Sequence, residues 1–178
     1  GSYLVQVYDG SSENTKTIIL KLRKKIATEN IFYFLLIESG IRVHTIDKFE
    51  NIRNMPTGMV SKFRRELKER RLYPINQIGN DRTLDFKFSN DKHFIVELYD
   101  KGNFIIADEF YKIIFIVRPY ELNNLKIYVD NIYPIEQIIN INPKIDMDIS
   151  NSKGYYIEKQ TYSPFPIEGK NVKILENI

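Results

Sequence analysis

Cysteine is missing from all 178 residues, which excludes disulfide staples and thiolate metal sites and fits a reducing compartment. No run approaches the roughly 18 consecutive apolar residues that a bilayer span needs, and the opening lacks the charged-then-apolar layout of a secretory signal. A soluble, cytoplasmic protein without membrane contact is the expectation. Glycine is sparse, at eight scattered residues, and forms neither a phosphate-cradling loop nor a nucleophile elbow. The two histidines, His44 and His93, stand far apart with no cysteine to join them, so no metal-ligand spacing arises. No serine has recognisable triad partners. Asp85 and Glu97 fall in the polar phase of alternating segments, where solvation is expected rather than acid/base work. Neither a catalytic residue nor a cofactor is predicted. Alanine is confined to Ala27 and Ala107 while isoleucine, asparagine, lysine and tyrosine abound, a bias of A+T-rich coding that says little about function.

What is present reads mostly as strands. Tyr3 to Tyr8 and Thr17 to Leu22 are β-rich and flank Asp9-Gly10-Ser11-Ser12, which has hairpin chemistry. A basic stretch, Lys24 to Asn30, is read as an interruption before the apolar run Ile31 to Ile37, expected to be a central strand. After the turn at Gly40 come a short strand carrying Arg42 and His44, and then the alternating segments Thr83 to Phe88 and Phe94 to Leu98, predicted half-buried with Ile95 on the outer face. Asn103 to Ala107, Lys112 to Val117 and Leu125 to Val129 continue the series. About eight short strands at this spacing predict an antiparallel β-sandwich or barrel. The one helix expected runs from Thr57 to Leu72, where Val60, Phe63 and Leu67 recur at helical spacing behind Pro56 and Thr57. Beyond Pro143 the periodicity fades, and Ser163-Pro164-Phe165-Pro166 forbids a central strand. The expected organisation is a domain over residues 3–140, an irregular extension or insertion over 141–178, and a protease scar at Gly1-Ser2.

Charge concentrates on the helix. Lys62, Arg64, Arg65, Lys68, Arg70 and Arg71 against Glu66 and Glu69 give it +4, and since the whole chain carries +3 the remainder sums to −1. Positive potential focused on one element suits a polyanion. The same charge also suits a solvated face laced by pairs such as Glu66 with Arg70, the commoner use of mixed charge. His44 is more often a hydrogen-bonded surface histidine than a base. Gly79-Asn80-Asp81-Arg82 is a turn feeding an alternating strand. Turn chemistry explains it; equally, a strand end that presents Asp beside Arg offers an acceptor for base amino groups and a donor fork for phosphate. Asp100-Lys101-Gly102-Asn103 reads as a hairpin turn.

Four segments in order carry a family resemblance: Leu35-Leu36-Ile37-Glu38-Ser39-Gly40-Ile41-Arg42-Val43-His44-Thr45; the helix words from Lys62 to Leu72; Gly79-Asn80-Asp81-Arg82; and Ile95-Val96-Glu97-Leu98-Tyr99-Asp100-Lys101-Gly102-Asn103. From about Tyr3 to about Ile138 the chain resembles the N-terminal domain of the NFACT family, which includes the eukaryotic nuclear export mediator factor and bacterial proteins named for fibronectin binding. The resemblance implies an α+β fold, a predominantly antiparallel β-sandwich similar to the N-terminal domain of formamidopyrimidine-DNA glycosylases with one basic helix. It implies a non-catalytic role in ribosome-associated quality control: binding a large ribosomal subunit obstructed by peptidyl-tRNA, recruiting charged tRNA for C-terminal tailing, and, through other parts of a longer protein, assisting an E3 ubiquitin ligase. The expected location is cytoplasmic and ribosome-associated, with some nuclear presence allowed. Asp81 and Arg82 match the family's tRNA-contacting pair. The other candidate nucleic-acid contacts are Lys62, Arg64, Arg65, Lys68, Arg70 and Arg71 with Arg42 and His44. A second family aspartate would lie upstream of Tyr3, so the tRNA site is expected to be incomplete here. Lys101 replaces an arginine common in relatives, keeping charge but not a bidentate contact. The alternatives are a glycosylase-like enzyme, suggested by fold analogy, and a surface adhesin, suggested by the bacterial names.

Overall fold

The computed structural model describes residues 1–49, 55–122 and 125–140; the expected extension over 141–178 lies outside them. In chain order the elements are β1 (Ser2–Asp9), β2 (Thr17–Ile26), β3 (Glu29–Glu38), β4 (Arg42–Ile46), α1 (Gly58–Leu67), β5 (Arg71–Gln77), β6 (Thr83–Phe88), β7 (His93–Glu97), β8 (Asn103–Ala107), β9 (Ile113–Ile116), β10 (Tyr120–Leu122), β11 (Leu125–Ile127) and α2 (Ile135–Asn140). The fold is thus a mostly antiparallel β structure with few helices.

β1 pairs with β2 on one side and β5 on the other, so the strands form one sheet in the order β4-β3-β2-β1-β5-β6-β7-β8-β9, with β10-β11 as a separate ribbon. The sheet curls until its distant turns touch. The Gly40 N–H donates to the Glu97 carbonyl at 3.3 Å, Ser39 Oγ to the Lys101 carbonyl at 3.2 Å, and Arg118 Nη1 to both Ser39 Oγ and the Gly102 carbonyl. Gly40 and Gly102 sit at φ +76° and +63°, a region that favours glycine, and a Cβ on Gly102 would lie 1.9 Å from the Gly40 nitrogen. This closure needs both glycines.

Helix α1 starts where the sequence indicates. Thr57 caps it by accepting from the Val60 N–H, and its buried stripe, Val60, Phe63 and Leu67, enters the concave face of the sheet. There Phe63 meets Phe94 edge-to-face at 4.8 Å, with Phe104 and Phe115 near 6 Å. The helix does not reach Leu72. It ends at Leu67, because Glu69 adopts φ +61° and the chain then ladders onto β1: the Glu69 N–H donates to the Leu4 carbonyl and the Leu4 N–H to the Arg70 carbonyl. Arg71 and Leu72 are therefore strand residues, in a β5 that the sequence hid behind Pro74; the β5–β6 register shifts between Leu72 and Ile75, where a proline is tolerated.

Two further expectations need correction. Lys24 to Asn30 does not interrupt the strands: the β2–β3 ladder runs on through Lys24↔Ile31, Lys25↔Asn30 and Ile26↔Glu29, turning at Ala27 with φ +51°. β3 is an interior strand as expected, yet Ile31, Phe32 and Tyr33 remain exposed. Nor are β6 and β7 solvated on one face. A second apolar cluster, including Ile95, Ile105, Ile127, Tyr133 and Ile138, covers the side away from Phe63, so β7 is buried on both faces and Asp85 and Glu97 are only 5% and 2% exposed.

Candidate nucleic-acid interface

Burial forces Asp85 and Glu97 to find partners inside the protein. His93 Nδ1 lies 2.9 Å from both Asp85 oxygens, and the Tyr111 hydroxyl donates to Asp85 Oδ2 at 2.9 Å. Glu97 Oε1 accepts from Tyr120 at 2.6 Å and Tyr133 at 2.9 Å; burial raises its pKa against the lowering by those tyrosines. Desolvation, then the negative charge of Glu97, pushes the Tyr120 and Tyr133 hydroxyls far above the usual phenol range, so they stay protonated donors. These groups are spent on structure. Among the described residues no group of three His, Asp or Glu side chains could hold a metal.

The Gly79–Arg82 turn is built differently. Gly79 takes φ +56°, the Asp81 N–H donates to the Ile78 carbonyl, and the Ile78 N–H to the Thr83 carbonyl. Asp81 then pins the turn with its side chain, accepting from its neighbour's backbone (the Arg82 N–H) at Oδ1, 2.7 Å, and from the Thr83 hydroxyl at Oδ2, 3.0 Å. Gln77 Nε2 donates to the Asp81 carbonyl, and the Leu98 N–H to the Arg82 carbonyl. Every backbone anchor of Arg82 is thereby fixed while its side chain is exposed, and its guanidinium has no partner among the described residues. Five N–H donors face solvent from a rigid base.

The predicted cations separate. Glu66, with a side chain 11% exposed, gathers Lys62 at 3.2 Å, Arg65 at 3.1 Å and Lys92 in a short contact. Desolvation raises its pKa, but the hydrogen bonds from Lys92, Arg65 and Lys62 outweigh it and bring the carboxyl down to about 2. The expected partner Arg70 is not in this cluster, since it has left the helix. Arg64 is committed inward: its Nε and Nη2 donate to the Val7 carbonyl at 2.9 and 2.7 Å. Lys68, Arg70 and Arg71 are exposed beyond the helix end. Arg42 pairs with Glu38 at 2.7 Å, and His44 Nδ1 faces the Thr45 carbonyl at 3.0 Å. Arg82 stands at one end of β6 and Lys92 just past the other, so the turn and the helix cations are about 20 Å apart along that strand. The sequence reading missed Lys92, which only the tertiary fold brings to Glu66, and the basic-aromatic alternation of β2 and β3.

A curled antiparallel sheet with a pinned, arginine-bearing turn and a separate basic cluster defines a β-rich α+β domain whose candidate chemistry lies on exposed turns and edges. Residues 11–148 match the family model of the NFACT N-terminal and middle domains. The chain belongs to that family. It is 37% identical over 154 residues to the ribosome quality control complex subunit NEMF of Mus musculus, which covers 83% of this chain and 14% of that protein. The Schizosaccharomyces pombe ribosome quality control complex subunit 2 is 32% identical over 138 residues, with 72% and 12% covered. Of solved structures, the N-terminal domain of the fibronectin-binding protein PavA from Streptococcus pneumoniae superimposes with a TM-score of 0.60 at 17% identity, covering 74% of this chain and 53% of that one. The N-terminal part of the fibronectin/fibrinogen-binding protein of Streptococcus suis gives 0.61 at 23%, covering 75% and 53%. The last two show the shared fold. No described helix is long and apolar enough to cross a membrane.

Proposed function

We propose that this chain is a non-catalytic tRNA- and ribosome-binding module of a ribosome-associated quality-control factor, acting in the cytoplasm on obstructed large subunits. The observation that carries it is Arg82, an exposed guanidinium without a partner among the described residues, on a turn whose backbone Asp81 holds still. A preorganised fork of this kind suits phosphate or a base edge, because little side-chain and backbone freedom remains to be lost on binding. Lys62, Arg65, Lys68, Arg70 and Lys92 supply a second, electrostatic contact region. Relatives named as subunits of the ribosome quality control complex support the same role. They also favour it over glycosylase-like processing and over adhesion. This chain spans 14% of the NEMF relative, so tailing of stalled chains and contact with a ubiquitin ligase belong, in this proposal, to a longer protein.

Fluorescence anisotropy of labelled tRNA against this chain across a salt series tests it. Affinity should fall steeply with salt as neutralised phosphates release counterions, and Arg82→Ala should weaken binding about tenfold. Salt-independent binding, or equal binding of duplex DNA unaffected by Arg82→Ala, would overturn it.

A further inference from the structure

The outer face of the sheet at the β2–β3 end carries a pattern that neither the turn nor the helix explains. In β2 the even positions Leu20 and Leu22 are buried, so Lys21, Arg23 and Lys25 project from the opposite face. Register fixes what stands beside them. Arg23 lies directly between Phe32 of β3 and Tyr3 of β1, and Tyr3 in turn lies directly opposite Arg71 of β5. Across four adjacent strands the same face therefore reads aromatic, cation, aromatic, cation. Direct neighbours in a ladder share a face, and alternate strands are about 10 Å apart.

Geometry joins these side chains into a platform. Lys21 Nζ stands 4.7 Å over the Phe32 ring, Arg23 Cζ 5.8 Å over Tyr3, and Arg71 Cζ 5.9 Å over Tyr73. The rings stay open to solvent, with Phe32 47% and Tyr3 42% exposed. Exposed aromatic area of this kind is unfavourable in water unless something covers it. Phe49, which packs on Phe34 of β3 and Tyr8 of β1, bounds the platform. Lys25 faces Asn30, Arg23 faces Phe32 and Lys21 faces Phe34, so the paired positions hold cations and no carboxylate.

We infer that this face is a stacking platform for unpaired RNA nucleotides. Rings at regular spacing take base planes, which every nucleotide offers regardless of sequence, and the interleaved cations take the backbone phosphates. Charge complementarity selects a polyanion over a basic or apolar protein partner, because the positions paired with the rings hold cations and no carboxylate, and the exposed rings beside them favour a polyanion that also carries flat bases. The inference rests on the proposed RNA-binding role but uses a different face from Arg82.

The test uses the whole 178-residue chain, a labelled 12-nucleotide oligouridylate, a 12-base-pair RNA duplex and tRNA. Phe32→Ala, Tyr3→Ala and Arg23→Gln each replace an outer-face side chain, and thermal melts check that each folds. Oligouridylate should bind better than duplex, and each ring lost should weaken it about fivefold or more. Phe32→Tyr should retain binding. The chain has no tryptophan, so Phe32→Trp introduces a single emitter whose quenching by the oligonucleotide reports stacking. Binding by the variants within twofold of the parent, or unquenched Phe32→Trp emission in the bound state, would overturn the platform. tRNA binding that depends on Arg82 without any oligouridylate binding would overturn the platform and leave the proposed function. Oligouridylate binding that depends on Phe32, with tRNA binding indifferent to Arg82, would support the platform and overturn the recognition turn.

Discussion

At Glu66 and Glu97 the same side chain meets opposite surroundings, and the consequences for pH run in opposite directions. Glu66 has its pKa lowered from 4.5 to about 2 by hydrogen bonds that outweigh its desolvation. A carboxylate depressed on folding contributes stability that is fully present above its unfolded pKa and lost as pH falls through the folded one. Melting temperature should therefore drop between about pH 4.5 and pH 2, and Glu66→Gln should flatten that part of the profile. Glu97 is raised by burial, so the folded state holds its proton more tightly and its contribution declines as pH rises from the ordinary carboxylate range. Glu97→Gln keeps an oxygen to accept from Tyr120 and Tyr133 while removing the charge. Its denaturation midpoint at neutral pH should equal or exceed the parent's; a loss of several kcal/mol would show that the anion is required.

Among the elements, α1 was the most legible in sequence and the most easily overextended. Thr57 and the spacing of Val60, Phe63 and Leu67 announce its start and its buried face, because both signals are local. Its end is not local: Lys68 to Leu72 is helix-forming in composition, yet hydrogen bonds to Leu4, sixty-odd residues earlier, draw it into the sheet. The same rule separates the site residues. The Gly79–Arg82 turn could be read from glycine, asparagine and aspartate, whereas nothing near Arg64 shows that its guanidinium will serve the Val7 carbonyl. The β2–β3 tip stayed hidden because Ala27, not glycine or asparagine, occupies the left-handed position. β7 misled because, Ile95 apart, it alternates, although later segments including Ile127, Tyr133 and Ile138 cover its polar face. Phe63 is where α1 and the sheet meet, and Phe63→Ala should cost about 3–5 kcal/mol in urea unfolding. A cost below about 1 kcal/mol would mean that the helix packs loosely.

On the scale of the whole molecule, nine strands are held in a curl by contacts that are few and specific. Among the described residues β1 is laddered to β5 by the pairs Ser2↔Leu72 and Tyr3↔Arg71, next to the two backbone bonds of Leu4. The far side is closed where the Ser39-Gly40 turn meets the Asp100–Gly102 turn. Gly102→Ala should destabilise by about 2 kcal/mol or more, since it adds both a strained φ and an overlap with backbone. A melting temperature unchanged by that substitution would mean the turns do not touch in solution.

That closure also constrains how the sequence can drift. A Cβ on Gly102 would strike the Gly40 backbone, and one on Gly40 would come within 2.5 Å of the Asp100 carbonyl oxygen. Each residue clashes with main chain and not with a side chain, so no replacement at the partner position can make room. The two glycines can only stay fixed together; they cannot covary, and a search for correlated substitutions among related chains would pass silently over the contact that closes the sheet.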